Sequence, residues 1–236
     1  MRRPRLLDLY CCAGGAAKGY HDAGFDVTGV DIADRPNYPF AFHRGDAIEY
    51  LLAHGHEYDA VHASPPCQSQ CSLTVGTNES RGWGGGHVDL VAPTRAALLR
   101  IGLPYVIEQP DGRAKIRRDV RLNGELFGLG VWRPRNFELG GWCTPRPRLP
   151  GRRGYVRGYR HGVYREGPYV AVYGDGGDKA TVAEAQSAMG IDWTDVREEL
   201  TEAVPPAYTR WIGERLLDHL AGRGQAQLLL PLERAA

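Results

Sequence analysis

No apolar run in this chain approaches the ~18 residues that a membrane-spanning helix needs. The opening MRRPRLLDLYCC is too short in its apolar part for a secretory signal core, and no small-residue cleavage site follows it. Low-complexity tracts are absent as well, so a soluble, cytoplasmic protein is expected. Lysine is scarce, at positions 18, 115 and 179 alone, and the formal net charge of +1 excludes a globally basic coat for nucleic acid. Five cysteines (11, 12, 67, 71 and 143) make an odd count, which argues against a disulfide framework. What is present is apolar content, 42% over 236 residues. That suffices for a full core, in one large domain or one domain with a small appendage.

The pattern along the chain alternates strands with helices. RLLDLY (5 to 10) runs into CCAGGAAKGYHDAG, a glycine turn opening a helix that Gly24 ends. FDVTGVDI (25 to 32) is a second strand, FHRGDA leads through a third into the helical AIEYLLAHG, and YDAVHAS (58 to 64) is a fourth. A helix over 88 to 101 precedes PYVIEQP (104 to 110), a strand stopped by Pro110. Such alternation predicts a parallel sheet with crossover helices, whose ligands lie at the carboxyl ends of the strands. Gly14, Gly15, Asp31, Asp46, Cys67 and Glu108 all follow or close strands at that edge. Beyond 110 the pattern loosens: LNGELFGLG reads as a short helix, RPRNFEL as an edge strand, YVAVYG as strand-like, and helices return with TVAEAQSAMG and PPAYTRWIGERLLDHLAG. On the last of these Tyr208, Trp211, Ile212, Leu216 and Leu220 share a core-facing stripe.

Each candidate site has a plain alternative beside it. The glycine turn lacks the spaced G-x-G-x-x-G and serves many nucleotide folds. Asp31 suits a ribose diol; Asp46 could accept from an adenine amino group or simply cap the next helix. Cys67, in HASPPCQSQC, could be a metal ligand with Cys71, half of a disulfide, or a nucleophile. The metal reading lacks two further ligands, since His62 sits inside a strand and Cys143 is isolated. Glu108 ends an apolar strand, where desolvation would suit it to act as an acid. Between Cys143 and Pro168 seven arginines and three tyrosines face Glu166 as the sole acid. Fork donors and stacking rings are what phosphates and bases call for, although a general bias toward arginine accounts for part of the count.

Taken in order, DLYCCAGGAAKGY, GVDI, GDA, SPPCQ, VIEQP, RPRNF, EAQSAMGIDW and EAVPPAYTRWIG resemble the ordered motifs of the DNA (cytosine-5) methyltransferases, small phage-type and bacterial members especially. The resemblance runs from residue 5 to about 218, apart from the Arg/Tyr segment. It implies a Rossmann-like α/β sheet binding S-adenosylmethionine, with a small, mostly β target-recognition insert. The first part of the catalytic domain would cover 1–140, the insert 141–180, and returning helices 181–236. Cys67 would add to C6 of a flipped-out cytosine and Glu108 would meet its N3. Arg133 and Arg135 would hold its O2 and the active-site loop. Tyr10, Ala13, Gly14 and Gly15 would take the methionine part of the cofactor, Asp31 the ribose, Ile32 and Asp46 the adenine, and Pro66, Glu202 and Val204 would line the site. Arg81 and Trp83, in a mobile catalytic loop, and Arg152, Arg153, Arg157 and Arg160 would contact double-stranded DNA. The resemblance also implies a monomer without metal, in a bacterial or phage-infected cell. Three positions depart from the family pattern: Cys12 for a glycine, Gln109 for an asparagine, and Glu202 for the asparagine before AVP. They keep open the same chemistry on RNA or free nucleotide, and a catalytically weak DNA-binding relic.

Overall fold

The computed structural model describes residues 2–66, 89–112, 115–160, 162–173 and 179–222. A nearly continuous apolar run makes β1 (Arg5–Leu9) an inner strand, four of its five residues buried. It pairs in parallel with β2 (Asp26–Asp31) on one side and β4 (Ala60–Ala63) on the other. β3 (Ala41–Arg44) extends the sheet beyond β2, and β5 (Tyr105–Pro110) beyond β4, again in parallel. The chain then reverses. β7 (Arg135–Gly140) runs antiparallel to β5, and β6 (Val120–Leu122) antiparallel to β7, so the order is β3-β2-β1-β4-β5-β7-β6.

RPRNFEL is therefore an inner strand and not the expected edge; the edge is the three-residue β6, too short to leave a periodic signal. YVAVYG forms no strand, and its Tyr169 makes only an isolated bridge to Val156. The insert's ordered pair is instead a hairpin of β8 (Gly158–Arg160) and β9 (Val163–Arg165).

Helices cover both faces. α1 (Gly15–Ala23) and α6 (Pro206–Leu220) pack on one, burying Tyr20, Phe25, Tyr208, Ile212 and Leu216. α2 (Ala47–His54) and α3 (Val91–Ile101) pack on the other around Leu51, Leu98 and Tyr105. A third cluster, with Val131, Val172, Met189, Ile191 and Leu200, joins α4 (Val182–Met189) and α5 (Arg197–Glu202) to the insert. α4 starts at a capping box, in which Glu184 N–H donates to the Thr181 hydroxyl and Thr181 N–H donates back to Glu184. Among the described residues no helix is long and apolar enough to cross a membrane.

Candidate active site

The strand order reverses direction between β1 and β4, which opens a crevice at the carboxyl edge of the sheet. The turn leaving β1 there is strained. Tyr10 (φ 59°) and Cys12 (φ 46°) both adopt the left-handed region that side chains disfavour, followed by Gly14 at φ 83°. Cys12 thus stands where a glycine would be cheaper. The turn is held by Cys12 N–H donating to Asp31 (3.1 Å) and by Trp193 Nε1–H donating to the Ala13 carbonyl (2.8 Å). Gly15 is required by contact: a Cβ there would lie 2.4 Å from the Val204 carbonyl oxygen. This close approach brings the segment between α5 and α6 onto the turn. Glu202 faces it as well, accepting a hydrogen bond from the Cys12 thiol at 3.5 Å. Burial, with the Glu202 charge adding, pushes that thiol's pKa up to about 12.

Asp31, at the end of β2, is buried and already engaged. Its oxygens accept from Cys12 N–H, from Ala33 N–H (3.0 Å) and from Arg35 (3.2 Å). Arg35 went unnoticed in the sequence, where its only signal is its place four residues after Asp31. Ile32 beside it is 70% exposed, an apolar surface turned to solvent at the sheet edge. Asp46 is a helix cap, accepting from Ile48 N–H (2.8 Å) and Glu49 N–H (2.9 Å) through one oxygen, Oδ1. The Tyr10 hydroxyl is shared with Thr94 of α3 at 2.8 Å, and burial raises its pKa.

The next strands carry the reactive candidates. Glu108 lies in β5, 5% exposed, with Arg135 Nε 2.8 Å from its Oε1. Arg135 opens β7 opposite Pro110, so the antiparallel reversal is what sets the guanidinium against the carboxylate. Gln109, pointing to the other side of β5, donates from Nε2 to the Pro65 carbonyl (2.6 Å) and so fixes the exit of β4 two residues before Cys67. Cys67 itself, with Arg81 and Trp83, lies outside the described residues, as do Cys71 and the glycines from 82 to 86. Pro65 is buried and Pro66 exposed.

The two arginines of RPRNF part company. Arg135 goes to Glu108, whereas Arg133 donates to the backbone carbonyls of Val172 (2.9 Å), Ala203 (3.1 Å) and Thr201. It ties the insert and the α5 to α6 link to the mouth of the site. Three arginines of the insert likewise hold it down. Arg153 pairs with Glu125 (2.6 Å), Arg157 with Glu184 (2.8 Å), and Arg152 lies 5.0 Å over the Trp132 ring. The Arg160 side chain lies outside the described residues. Among those that are described, no group of three or more metal-ligating side chains assembles.

No protein-family model and no curated protein sequence matches the chain. Solved structures do. A DNMT2 variant from Spodoptera frugiperda superposes with a TM-score of 0.57 at 14% identity, covering 92% of this chain and 99% of that one. The Dnmt2 methyltransferase of S. pombe gives 0.53 at 14%, with the same coverage of 92% and 99%. The chain spans 46% of a candidate DNA modification methyltransferase encoded in an E. coli prophage, which covers 58% of this chain at 17% identity and a TM-score of 0.43. The fold is thus the one these Dnmt2 structures have, a Rossmann-like α/β sheet in which one strand, β7, runs antiparallel to the rest.

Proposed function

We propose that this protein is a cytosine-5 methyltransferase acting on DNA, with S-adenosylmethionine as methyl donor and Cys67 as nucleophile. The observation that carries the proposal is the joined exit of two neighbouring strands. β5 presents the buried Glu108, gripped by Arg135 at 2.8 Å, and its next residue, Gln109, clamps Pro65 at 2.6 Å on the way to Cys67. A carboxyl that meets cytosine N3 and a thiolate that adds to C6 must act on one ring together, and this clamp ties their strands at the sheet edge.

The residues present suit the adenosyl part of the cofactor. Exposed Ile32 would offer a wall for adenine, Asp46 keeps a second oxygen beyond its helix cap, and buried Asp31 would meet the ribose. When bound, the cofactor supplies an electrophilic methyl group. Cytosine C5 is a weak nucleophile, so Cys67 would attack C6 first and make C5 enamine-like, while Glu108 donates a hydrogen bond or proton at N3 to draw charge from the ring. Arg135 orients Glu108 and offers its remaining donors to the cytosine O2. Methylation at C5, loss of the C5 proton and expulsion of the thiolate complete the cycle. Since C6 is unreachable within a duplex, the base has to leave the stack. Residues 141–180 would form the target-recognition segment, 1–140 and 181–236 the catalytic body, and Arg133 would be a positioning residue that keeps the two in register.

DNA carrying 5-fluorocytosine tests this directly. With S-adenosylmethionine present it should form a covalent adduct, because fluorine cannot leave as the proton does, and Cys67→Ser should abolish it. No adduct with any DNA tested would overturn the proposal.

A further inference from the structure

Asp31 is the acid that the resemblance assigns to the ribose hydroxyls, yet the fold has already filled it. Cys12 N–H donates to Oδ2 (3.1 Å), Ala33 N–H to Oδ1 (3.0 Å) and Arg35 Nη2 to Oδ1 (3.2 Å), while Arg35 Nε lies 3.2 Å from Oδ2. A carboxylate offers about four lone-pair sites, and these contacts take them all. The guanidinium is the opposite case. Its fork spends Nε and Nη2 on the two oxygens of Asp31, and Nη1 has no partner among the described residues. The Arg35 side chain is 25% exposed and stands among residues of the crevice mouth. Burial disfavours its charge, but the neighbouring Cys12, Asp31 and Glu202 outweigh burial and raise its pKa.

The backbone around Arg35 is tied down on both sides. Ala33 folds back onto Asp31, and Tyr38 N–H donates to the Arg35 carbonyl (2.9 Å) across a turn that Pro36 stiffens. Asn37 Nδ2 reaches Glu199 (3.1 Å), and Tyr38 is buried on Gly29 of β2, where a Cβ would lie 2.3 Å from its ring. A donor is thus fixed at the carboxyl end of β2 before any ligand arrives.

We infer that Arg35 is the ribose-binding residue of the cofactor site, donating from Nη1 to the ribose oxygens, with Asp31 as its anchor. Asp31 then meets the ribose through Arg35 and not directly. The polarity of the contact is inverted: the ribose hydroxyls accept a hydrogen bond where a free carboxylate would have them donate one. A donor desolvated by the ligand and left without an oxygen is costly, so the site should reject a cofactor whose ribose lacks them. This assignment deepens the proposed function and rests on it for the cofactor.

Calorimetry with S-adenosylhomocysteine, which carries no reactive methyl, and with its 2′,3′-dideoxy analogue reads binding without turnover. The parent should bind the dideoxy analogue at least about 10-fold more weakly. Arg35→Met keeps the aliphatic stem and removes the donors. It should lose about 10-fold on S-adenosylhomocysteine and close most of the gap between the two ligands. Arg35→Lys, whose single ammonium is spent on Asp31, should do the same and serves if the methionine variant unfolds. Equal affinities on the parent would overturn the inference, as would a variant that melts like the parent and still separates the two ligands. A parent that binds no S-adenosylhomocysteine would sink the cofactor reading and the inference with it; binding that ignores Arg35 sinks the inference alone.

Discussion

Glu202 concentrates the chain's departure from the pattern it resembles into one side chain. It faces the glycine turn, close enough to accept from Cys12, and does not turn away from it. In the proposed binding mode a methionine carboxylate at that turn would meet a like charge. The side chain is exposed, so water screens the repulsion and the penalty is on the order of 1 kcal/mol. Glu202→Asn is accordingly expected to tighten S-adenosylmethionine binding about 3- to 5-fold by calorimetry. Turnover at saturating cofactor should be unchanged. Weaker binding by the variant would mean that Glu202 instead meets the cofactor's ammonium. Cys12 and Glu202 could be marked as unusual from sequence alone; that they touch could not, since 190 residues separate them.

Among the elements, α1 and α6 meet more closely than side chains normally allow. A Cβ on Gly19 would lie 2.1 Å from both the Pro206 carbonyl oxygen and the Thr209 hydroxyl, which itself donates to the Ala16 carbonyl at 2.8 Å. Neither backbone can yield without lifting α6 from Tyr20 and Phe25. Gly19→Ala should therefore destabilise the protein by about 2–4 kcal/mol despite alanine's better helix propensity, read as a drop in melting temperature. An unchanged or higher melting temperature would show that the helices slide apart freely. This helix pair was legible in the sequence, as were the parallel strands, because apolar periodicity reports burial directly. What stayed hidden depends on partners distant in sequence. β6 is three residues long, α5 is six, and neither completes a period. Arg153 and Arg157 read as DNA contacts because sequence shows charge but not the acids, Glu125 and Glu184, that pair with them. At the candidate site, Glu108, Arg135, Asp31 and Asp46 were legible as members of the ordered motifs. The separate destinations of Arg133 and Arg135 were not, since they follow from the reversal into β7.

The molecule as a whole carries a row of buried polar groups across the sheet that no proposed step uses. Asp8 of β1 and His62 of β4 are paired residues, so both project to the α1 and α6 face, and both are fully buried. His62 lies between the Tyr20 hydroxyl (3.1 Å) and the Ser64 hydroxyl (2.9 Å), and burial pushes its pKa down to about 3. Among the described residues neither Asp8 oxygen has a hydrogen-bond partner in good geometry. Burial, reinforced by the Asp31 charge, holds its pKa well above the usual range, with the Ala17 amide and Tyr38 hydroxyl opposing weakly. The two groups act in opposite senses. The unfolded chain protonates His62 below about pH 6.5 while the folded one does not, so that residue costs stability as pH falls from about 6.5 toward about 3. Asp8 keeps its proton when folded and loses it when unfolded, so its cost grows as pH rises above about 4. Asp8→Asn keeps the shape and removes only the second cost. It should melt higher than the parent at pH 7, by at least about 1 kcal/mol, and the gap should close as pH falls to about 4, where both chains hold a neutral side chain. Thermal melts of the pair at pH 7 and pH 4 decide it. A variant less stable than the parent by the same margin at both values would show that Asp8 is charged and satisfied in the fold, and that the row is a polar network holding β1 to β4.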